Sequence, residues 1–414
     1  MTDTATTPRQ RPLVDPDISV EDFTAQATEW YEANATRRPT HEAGLVWGEG
    51  DFDVSVFSDM SFEDERAHIL SIAEWVQKKA TQGYHAVDWP VEYGGLGLSR
   101  AHARALGRVE RQYQSPGSHE LVSVTVGLVA STIRVLGSDA LKQRFVADLR
   151  RADILACQLF SEPGAGSDLA GLSTRAVRDG DEWVINGQKV WTTLAHKSDY
   201  GLVVARTDPD QVKHAGISMF ILDMRAPGVE IRPIHQIDGG SHFNEVFFSD
   251  VRIPKDWLIG DLNNGWNLAT AMLMYERVAI GGAGAGKINQ PNFKMLRKAA
   301  ESTGKLGDPV VRDQMMKIWS METCKSLVAM KTRDELKAGK TPGPGGSLGK
   351  LFGSNIAWKV REMALEFAGP GSVAWDPDDE SGAELQRIVA RVPVPDSVLE
   401  YGRGLTRRSR VNAP

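Results

Sequence analysis

Two stretches decide how this chain reads: Gln158-Leu-Phe-Ser-Glu-Pro-Gly-Ala-Gly-Ser-Asp-Leu-Ala170 and Asn186-Gly-Gln-Lys-Val-Trp-Thr-Thr193. The first places two glycines and a serine just past an apolar, strand-like run that begins near Ile154. Glycine has no Cβ, so the backbone N–H groups of such a loop can come close to a ligand. A loop of that kind can bind phosphate or pyrophosphate through its amides. In the second stretch a tryptophan and two hydroxyl residues close a β-type run. An indole can stack on a flat ring, and hydroxyls can hydrogen-bond the ring's edge. A core tryptophan among β-formers fits the same residues, and spacing alone leaves both readings open.

Around these stretches the pattern is that of strands. Asp179-Gly180-Asp181 before Trp183-Val-Ile185 is a hairpin signal. Gly201–Ala205, Ile217–Leu222 and Val246–Phe248 read as further strands, punctuated at Pro227-Gly228, Gly239-Gly240 and Pro254. On the N-terminal side the periodicity is helical, at Ser61–Gln77, Ser99–Gln112 and Leu121–Leu136. The last is apolar almost all round, which predicts burial between other helices. Helical character returns at Trp266–Gly281, Asp313–Leu336 and Ser354–Ala368, with a Pro-, Gly- and Ser-rich loop predicted over Gly339–Gly349. The expected fold class is α+β: an N-terminal α-helical domain over 1–152, a central, mostly antiparallel β domain over 153–258, and a C-terminal helical bundle over 259–414. Helices, then strands, then helices argue against a Rossmann or TIM architecture, which alternates βαβ.

Composition narrows the function classes. Apolar residues at 41% and charged residues at 25% of 414 positions are ordinary globular usage, which excludes a disordered or collagen-like chain. Lys+Arg 48 against Asp+Glu 54 gives −6, without the basic footprint of nucleic-acid binding. An anionic ligand therefore needs a local basic site. Cys157 and Cys324 cannot form a disulfide framework or a four-cysteine metal site, and they suit a reducing compartment. Met1–Pro16 lacks the apolar core of a secretory signal, and no run approaches the ~20 apolar residues of a membrane span. The expectation is a cytoplasmic protein. Gly281-Gly-Ala-Gly-Ala-Gly-Lys287 satisfies GxxxxGK, but Ile288 stands where a phosphate loop needs Ser or Thr. His235 and His242 read as surface or loop residues, and no zinc-type ligand spacing occurs. Met315–Trp319 reads as core. The basic tail Arg403–Arg410 reads as a solvated terminus.

An ordered set of motifs is far more specific than either stretch alone. Pro90-Val-Glu-Tyr-Gly-Gly-Leu-Gly97, Phe160–Asp168, Gly187–Thr193, Arg206-Thr-Asp208, Gly216-Ile-Ser218, Gly228–Pro233, Phe243–Phe248, Asp250–Pro254, Gly265-Trp266 and Glu276-Arg277 follow one another over roughly residues 85–285. In this the chain resembles the acyl-CoA dehydrogenases, flavoenzymes of α–β–α organisation, and in detail their actinobacterial members that handle sterol side chains. The resemblance implies FAD, with Gln158, Phe160 and Ser161 against the flavin ring and its pyrimidine edge. It implies Gly166 and Ser167 at the pyrophosphate, Ser167 also near the CoA arm, Trp191 over a flavin face, and Thr192 and Thr193 at the N5 edge. It also implies an acyl-CoA substrate, an electron-transfer flavoprotein or similar acceptor, and a homo-oligomer or a hetero-oligomer with a related subunit.

The reaction implied takes a proton from the carbon next to the thioester and a hydride from the following carbon, leaving a trans double bond. A buried carboxylate suits the base, because burial raises its pKa toward working pH. The resemblance puts that base at Glu276, with Arg277 near the substrate pocket. Glu380 and Glu400 are the alternatives, each aligned to a C-terminal family element whose Gly-Thr this chain lacks. Two further departures stand out. Ala300-Glu-Ser-Thr-Gly304 replaces Arg-x-x-Phe-Gly, and Glu366-Phe-Ala-Gly-Pro370 replaces Gln-x-x-Gly-Gly. They weaken the half of the FAD site that a partner subunit would supply and leave three explanations: FAD held differently, a different subunit completing the site, or a degenerate FAD site. Two other functional readings stay open: a weakly or non-catalytic subunit of a heteromeric dehydrogenase, and an oxidase-type flavoprotein.

Overall fold

The computed structural model describes residues 14–38, 60–236, 240–281, 292–338 and 345–368. These fall into two compact units. The first runs to Glu276; the second starts at Arg277 and also takes in residues 235–241.

The first unit begins with helices whose starts are written in the sequence. Ser19, Ser61 and Ser99 cap α1 (Val20–Asn34), α2 (Phe62–Ala80) and α3 (Arg100–Glu110), each serine oxygen accepting an N–H from the first turn. Phe23, Ala27 and Tyr31 of α1 bury against Tyr84, Leu106, Val109 and Tyr113. The apolar run continues as a helix through residues 120–136, with a π-helical stretch at Val124–Val129. Thr125 sits inside that stretch, fully buried. Its hydroxyl donates to the Leu121 carbonyl at 2.7 Å and accepts from the Ala156 N–H at 2.9 Å. A single side chain thus fixes where the first strand begins.

The sheet has eight strands: β1 (Ala156–Leu159), β2 (Arg175–Asp179), β3 (Glu182–Thr193), β4 (Tyr200–Arg206), β5 (Ile217–Asp223), β6 (Val229–Pro233), β7 (Phe243–Pro254) and β8 (Leu258–Ile259). Their order is β6-β7-β3-β2-β4-β5-β8, with β1 beside β4. Pairings are antiparallel except β1 with β4 and the single β2–β4 pair Arg175–Arg206. The expected hairpin is β2–β3, with Asp179 opposite Glu182 and Gly180 at φ 61°. β4 and β5 are continuous apolar runs because both their faces are covered. Leu202, Val204, Met219 and Ile221 join the helical residues Leu128, Ile133 and Phe145. Val203, Ala205, Phe220 and Leu222 join Trp183, Val246 and Phe248.

The second unit contains the helices Phe293–Ser302, Pro309–Lys337 and Gly345–Ala368, packed through Leu296, Ala300, Met315, Ile318, Val360 and Phe367. Two expectations are corrected here. The last helix starts at Gly345, inside the span read as a loop. A Cβ on Gly345 would overlap the Thr332 side chain, so glycine there serves close helix approach and not a turn. Met315 and Ile318 are core as expected, but Met316 and Trp319 are 49% and 47% exposed. Residues 282–287 of the GxxxxGK stretch, Glu380, Glu400 and the basic tail lie outside the described residues.

Candidate active site

The loop after β1 folds back on itself within a few residues. Glu162 and Ala165 exchange both backbone hydrogen bonds, each 3.0 Å, closing a tight turn over Pro163-Gly164. The Glu162 side chain points inward and is 5% exposed. Its carboxylate accepts from Ser173 N (2.6 Å), Ser173 Oγ (2.8 Å) and Thr174 N (3.0 Å), and pairs with Lys189 Nζ at 2.8 Å. Lys189 is completely buried and also donates to the Phe160 carbonyl at 2.9 Å. Val190 N donates to Ser161 O at 2.9 Å. The loop and the end of β3 are therefore one rigid body. Burial alone would raise the Glu162 carboxyl, but Lys189 and the fixed donors outweigh it and hold it down at about 2. Both residues of the pair lie inside the quoted motifs, yet their role as the fastener was not read from sequence.

Trp191 comes next, at a register shift between β3 and β7, and it stands out in three ways. Its φ is +59°, the left-handed region, which costs a non-glycine residue on the order of 1 kcal/mol or more. Its indole is 60% exposed. Phe243 meets it edge-on at 6.0 Å between ring centroids. A core tryptophan would be buried in a relaxed strand, and Trp191 is neither. Thr192 is buried and its Oγ1 has no hydrogen-bond partner; Gln158 Nε2, on β1, is likewise buried and unpaired. Orphaned polar groups of this kind are costly without a partner. Thr193 is half-buried, and Phe160 is buried under the loop. Gly166 and Ser167 are exposed at the loop tip. A Cβ on Gly166 would meet no protein atom, so the chain's own packing does not require glycine there. Asp168 is tied to Lys213 at 2.8 Å through both oxygens.

The structure thus brings Phe160 and Ser161 against the end of β3, beside Trp191. Glu276 lies on the helix Gly265–Gly281, and the side chains of Glu276 and Arg277 fall outside the described residues.

A second buried knot sits behind the Trp191–Leu194 segment. Glu65 of α2, 6% exposed, accepts from His119 Nε2 (3.2 Å), His242 Nδ1 (3.2 Å) and Lys197 Nζ. Burial raises the Glu65 carboxyl, and these partners overcome it, again to about 2. His242 was expected at the surface; it is 8% exposed and held in this cluster. His235, by contrast, is exposed as expected. Among the described residues no group of His, Cys, Asp or Glu is arranged to hold a metal ion. No helix among them is long and apolar enough to cross a membrane.

The helical–sheet–helical order and the loop-and-tryptophan arrangement fit the acyl-CoA dehydrogenase resemblance carried by the sequence motifs. Comparison with known proteins makes that specific. Residues 59–153, 157–251 and 263–396 match the N-terminal, middle and C-terminal domains of acyl-CoA dehydrogenase. The acyl-CoA dehydrogenase IpdE1 of Mycobacterium tuberculosis is 36% identical over 370 residues, 89% of this chain and 90% of its own length. The human mitochondrial short-chain specific acyl-CoA dehydrogenase is 30% identical over 360 residues, 82% of this chain and 86% of its length. Among solved structures, a Tcur3481-Tcur3483 steroid acyl-CoA dehydrogenase variant superposes with TM-score 0.64 at 25% identity, covering 95% of this chain and 98% of that one. The chain belongs to the acyl-CoA dehydrogenase family, whose members are FAD-dependent. The residues present fit that cofactor: an exposed, strained indole for a ring face, unpaired polar atoms at Gln158 and Thr192 for a polar edge, and an open glycine tip for phosphates.

Proposed function

We propose that this chain oxidises an acyl-CoA thioester to the trans-2-enoyl-CoA as a cytoplasmic enzyme, with FAD held by the loop 158–167 and Trp191–Thr193. The observation that carries the reading is Trp191, exposed and left-handed beside the unpaired Thr192 hydroxyl. Bound FAD supplies the hydride acceptor. The chain's own groups do the rest. Gln158, Phe160, Ser161, Thr192 and Thr193 orient the ring. Gly166 and Ser167 present backbone amides to phosphates, with Ser167 beside the CoA arm. Glu276 takes the proton from the carbon next to the thioester, and Arg277 lies by the substrate. Likeness to solved steroid acyl-CoA dehydrogenases supports a steroid-derived acyl group.

The test is Glu276→Gln. It keeps its flavin but loses roughly 10²–10⁴-fold in dehydrogenation, read as loss of anaerobic flavin bleaching by acyl-CoA. Full activity in that variant moves the base to Glu380 or Glu400. Dependence of turnover on an electron-transfer flavoprotein supports dehydrogenase chemistry; oxygen consumption in its place supports an oxidase.

One observation favours assembly with a related subunit, in which this chain contributes little or no catalysis. Ala300, where family members place an arginine, is fully buried in its own unit's core. On neighbouring helices Trp319, Leu327, Met330, Leu351 and Trp358 are all exposed. The ChsE4-ChsE5 complex of Mycobacterium tuberculosis, TM-score 0.61 and 25% identical over the full length of both chains, is a two-component relative. Co-purification of a second dehydrogenase-like chain supports the heteromer; an active, flavin-saturated homomer excludes it.

A further inference from the structure

The segment Trp191–Leu194 is bent at both ends. Trp191 and Leu194 have φ of 59° and 55°, two left-handed non-glycine residues flanking Thr192 and Thr193. Such geometry persists only where the surroundings over-determine it. Here they do so through one short stretch of β7. Asn244 is completely buried and lies directly opposite Thr192. Its Nδ2 donates to the Thr192 carbonyl at 3.0 Å and to the His242 carbonyl at 3.3 Å. Its Oδ1 meets His196 Nδ1 at 2.9 Å, which makes that nitrogen the protonated one. The His242 carbonyl also accepts from Leu194 N at 2.7 Å, so the far end of the segment is tied to the same place. Behind it, Glu65 binds the side chains of His242, His119 and Lys197, anchoring the arrangement to α2. These hydrogen bonds converge on the backbone that carries Trp191 and Thr192.

We propose that Asn244 is a positioning residue for the flavin. It fixes the Thr192 peptide, and through it the unpaired Thr192 hydroxyl and the Trp191 ring, before the cofactor arrives. His196 orients its amide, and the Glu65 cluster clamps the strand on which it sits. The inference rests on the reading that Trp191–Thr193 contact FAD. Asparagine is required by this geometry. Alanine leaves the Thr192 carbonyl and His196 unpaired. Aspartate keeps the acceptor toward His196 but turns an oxygen toward two carbonyls.

The experiment is titration of the deflavinated protein with FAD, following flavin fluorescence and the absorption bands of the bound flavin, at a temperature where circular dichroism shows each variant folded. Asn244→Ala and Asn244→Asp weaken FAD binding by about tenfold or more and shift the bound-flavin bands, the loss expected when a fixed hydrogen-bonding edge is released. His196→Ala, milder because Asn244 stays in place, weakens binding a few-fold. Trp191→Ala serves as the reference for the underlying reading. If Trp191→Ala weakens FAD binding while both Asn244 variants bind and absorb like the parent, the positioning role is overturned and the site reading stands. Parent-like affinity in Asn244→Asp with loss in Asn244→Ala also overturns it, because side-chain volume alone then matters. If Trp191→Ala itself binds FAD like the parent, the site reading fails and the inference falls with it.

Discussion

Two buried glutamate–lysine pairs, Glu162–Lys189 and Glu65–Lys197, are alike in burial and in the depressed carboxyl each carries, yet they are built differently. Glu162 is held by backbone N–H groups of Ser173 and Thr174, which cannot move away. Glu65 is held only by side chains, two imidazoles and a lysine. The first fastens the loop at 158–167 to the end of β3; the second gathers α2, the turn after β3 and the start of β7 around the segment that bears Trp191. A fixed-donor site leaves its charge nowhere to go when one partner is lost, whereas a side-chain site can rearrange.

That difference predicts an order of effects. Glu162→Gln strands a completely buried Lys189 and costs about 3–5 kcal/mol in denaturant melts, the penalty for breaking a buried ion pair. A loss below 1 kcal/mol would erase the distinction. Acid titration comes next. Both carboxyls titrate below the ordinary 4.5, at about 2, so the stability they confer is complete above pH 4.5 and is lost as pH falls through 2. At ~1.4 kcal/mol per pH unit each carboxyl accounts for roughly 3 kcal/mol of that fall. Glu162→Gln and Glu65→Gln should each flatten the acid limb, and an unchanged limb in either would show that its carboxyl is not depressed. Glu65→Gln costs about 1.5–3 kcal/mol at neutral pH, less than its counterpart, because its donors can relax. The smallest effect has the opposite sign. Trp191→Gly relieves a left-handed tryptophan that is mostly exposed, so the FAD-free protein melts at the same temperature or slightly higher, a gain of about 1 kcal/mol at most. A clear drop in melting temperature would mean that Trp191 is structural.

The same contrast explains what the sequence could and could not show. The hairpin at Asp179–Asp181 and the apolar runs of β4 and β5 are local signals, and each produced the element it indicated. The Gly-Ser loop and Trp191-Thr-Thr were legible as a candidate site because the residues sit within a few positions of one another. Glu65 and Lys197 are 132 positions apart, and no periodicity connects them. His242 looked like a surface histidine because its neighbours are turn formers; only the fold supplies the carboxylate it meets. Gly345 read as a loop because glycine usually breaks helices, whereas here its missing side chain admits Thr332. Local chemistry was readable, and long-range charge pairing was not.

The central claim is that the loop at 158–167 and the strained Trp191–Thr193 segment hold FAD in a working acyl-CoA dehydrogenase. The most direct test is the visible spectrum of the chain purified alone, with flavin quantified after denaturation. A yellow protein releasing FAD in amounts equal to the chain, bleached by acyl-CoA without oxygen, is the predicted result. A folded, colourless chain that stays colourless when FAD is added would contradict it.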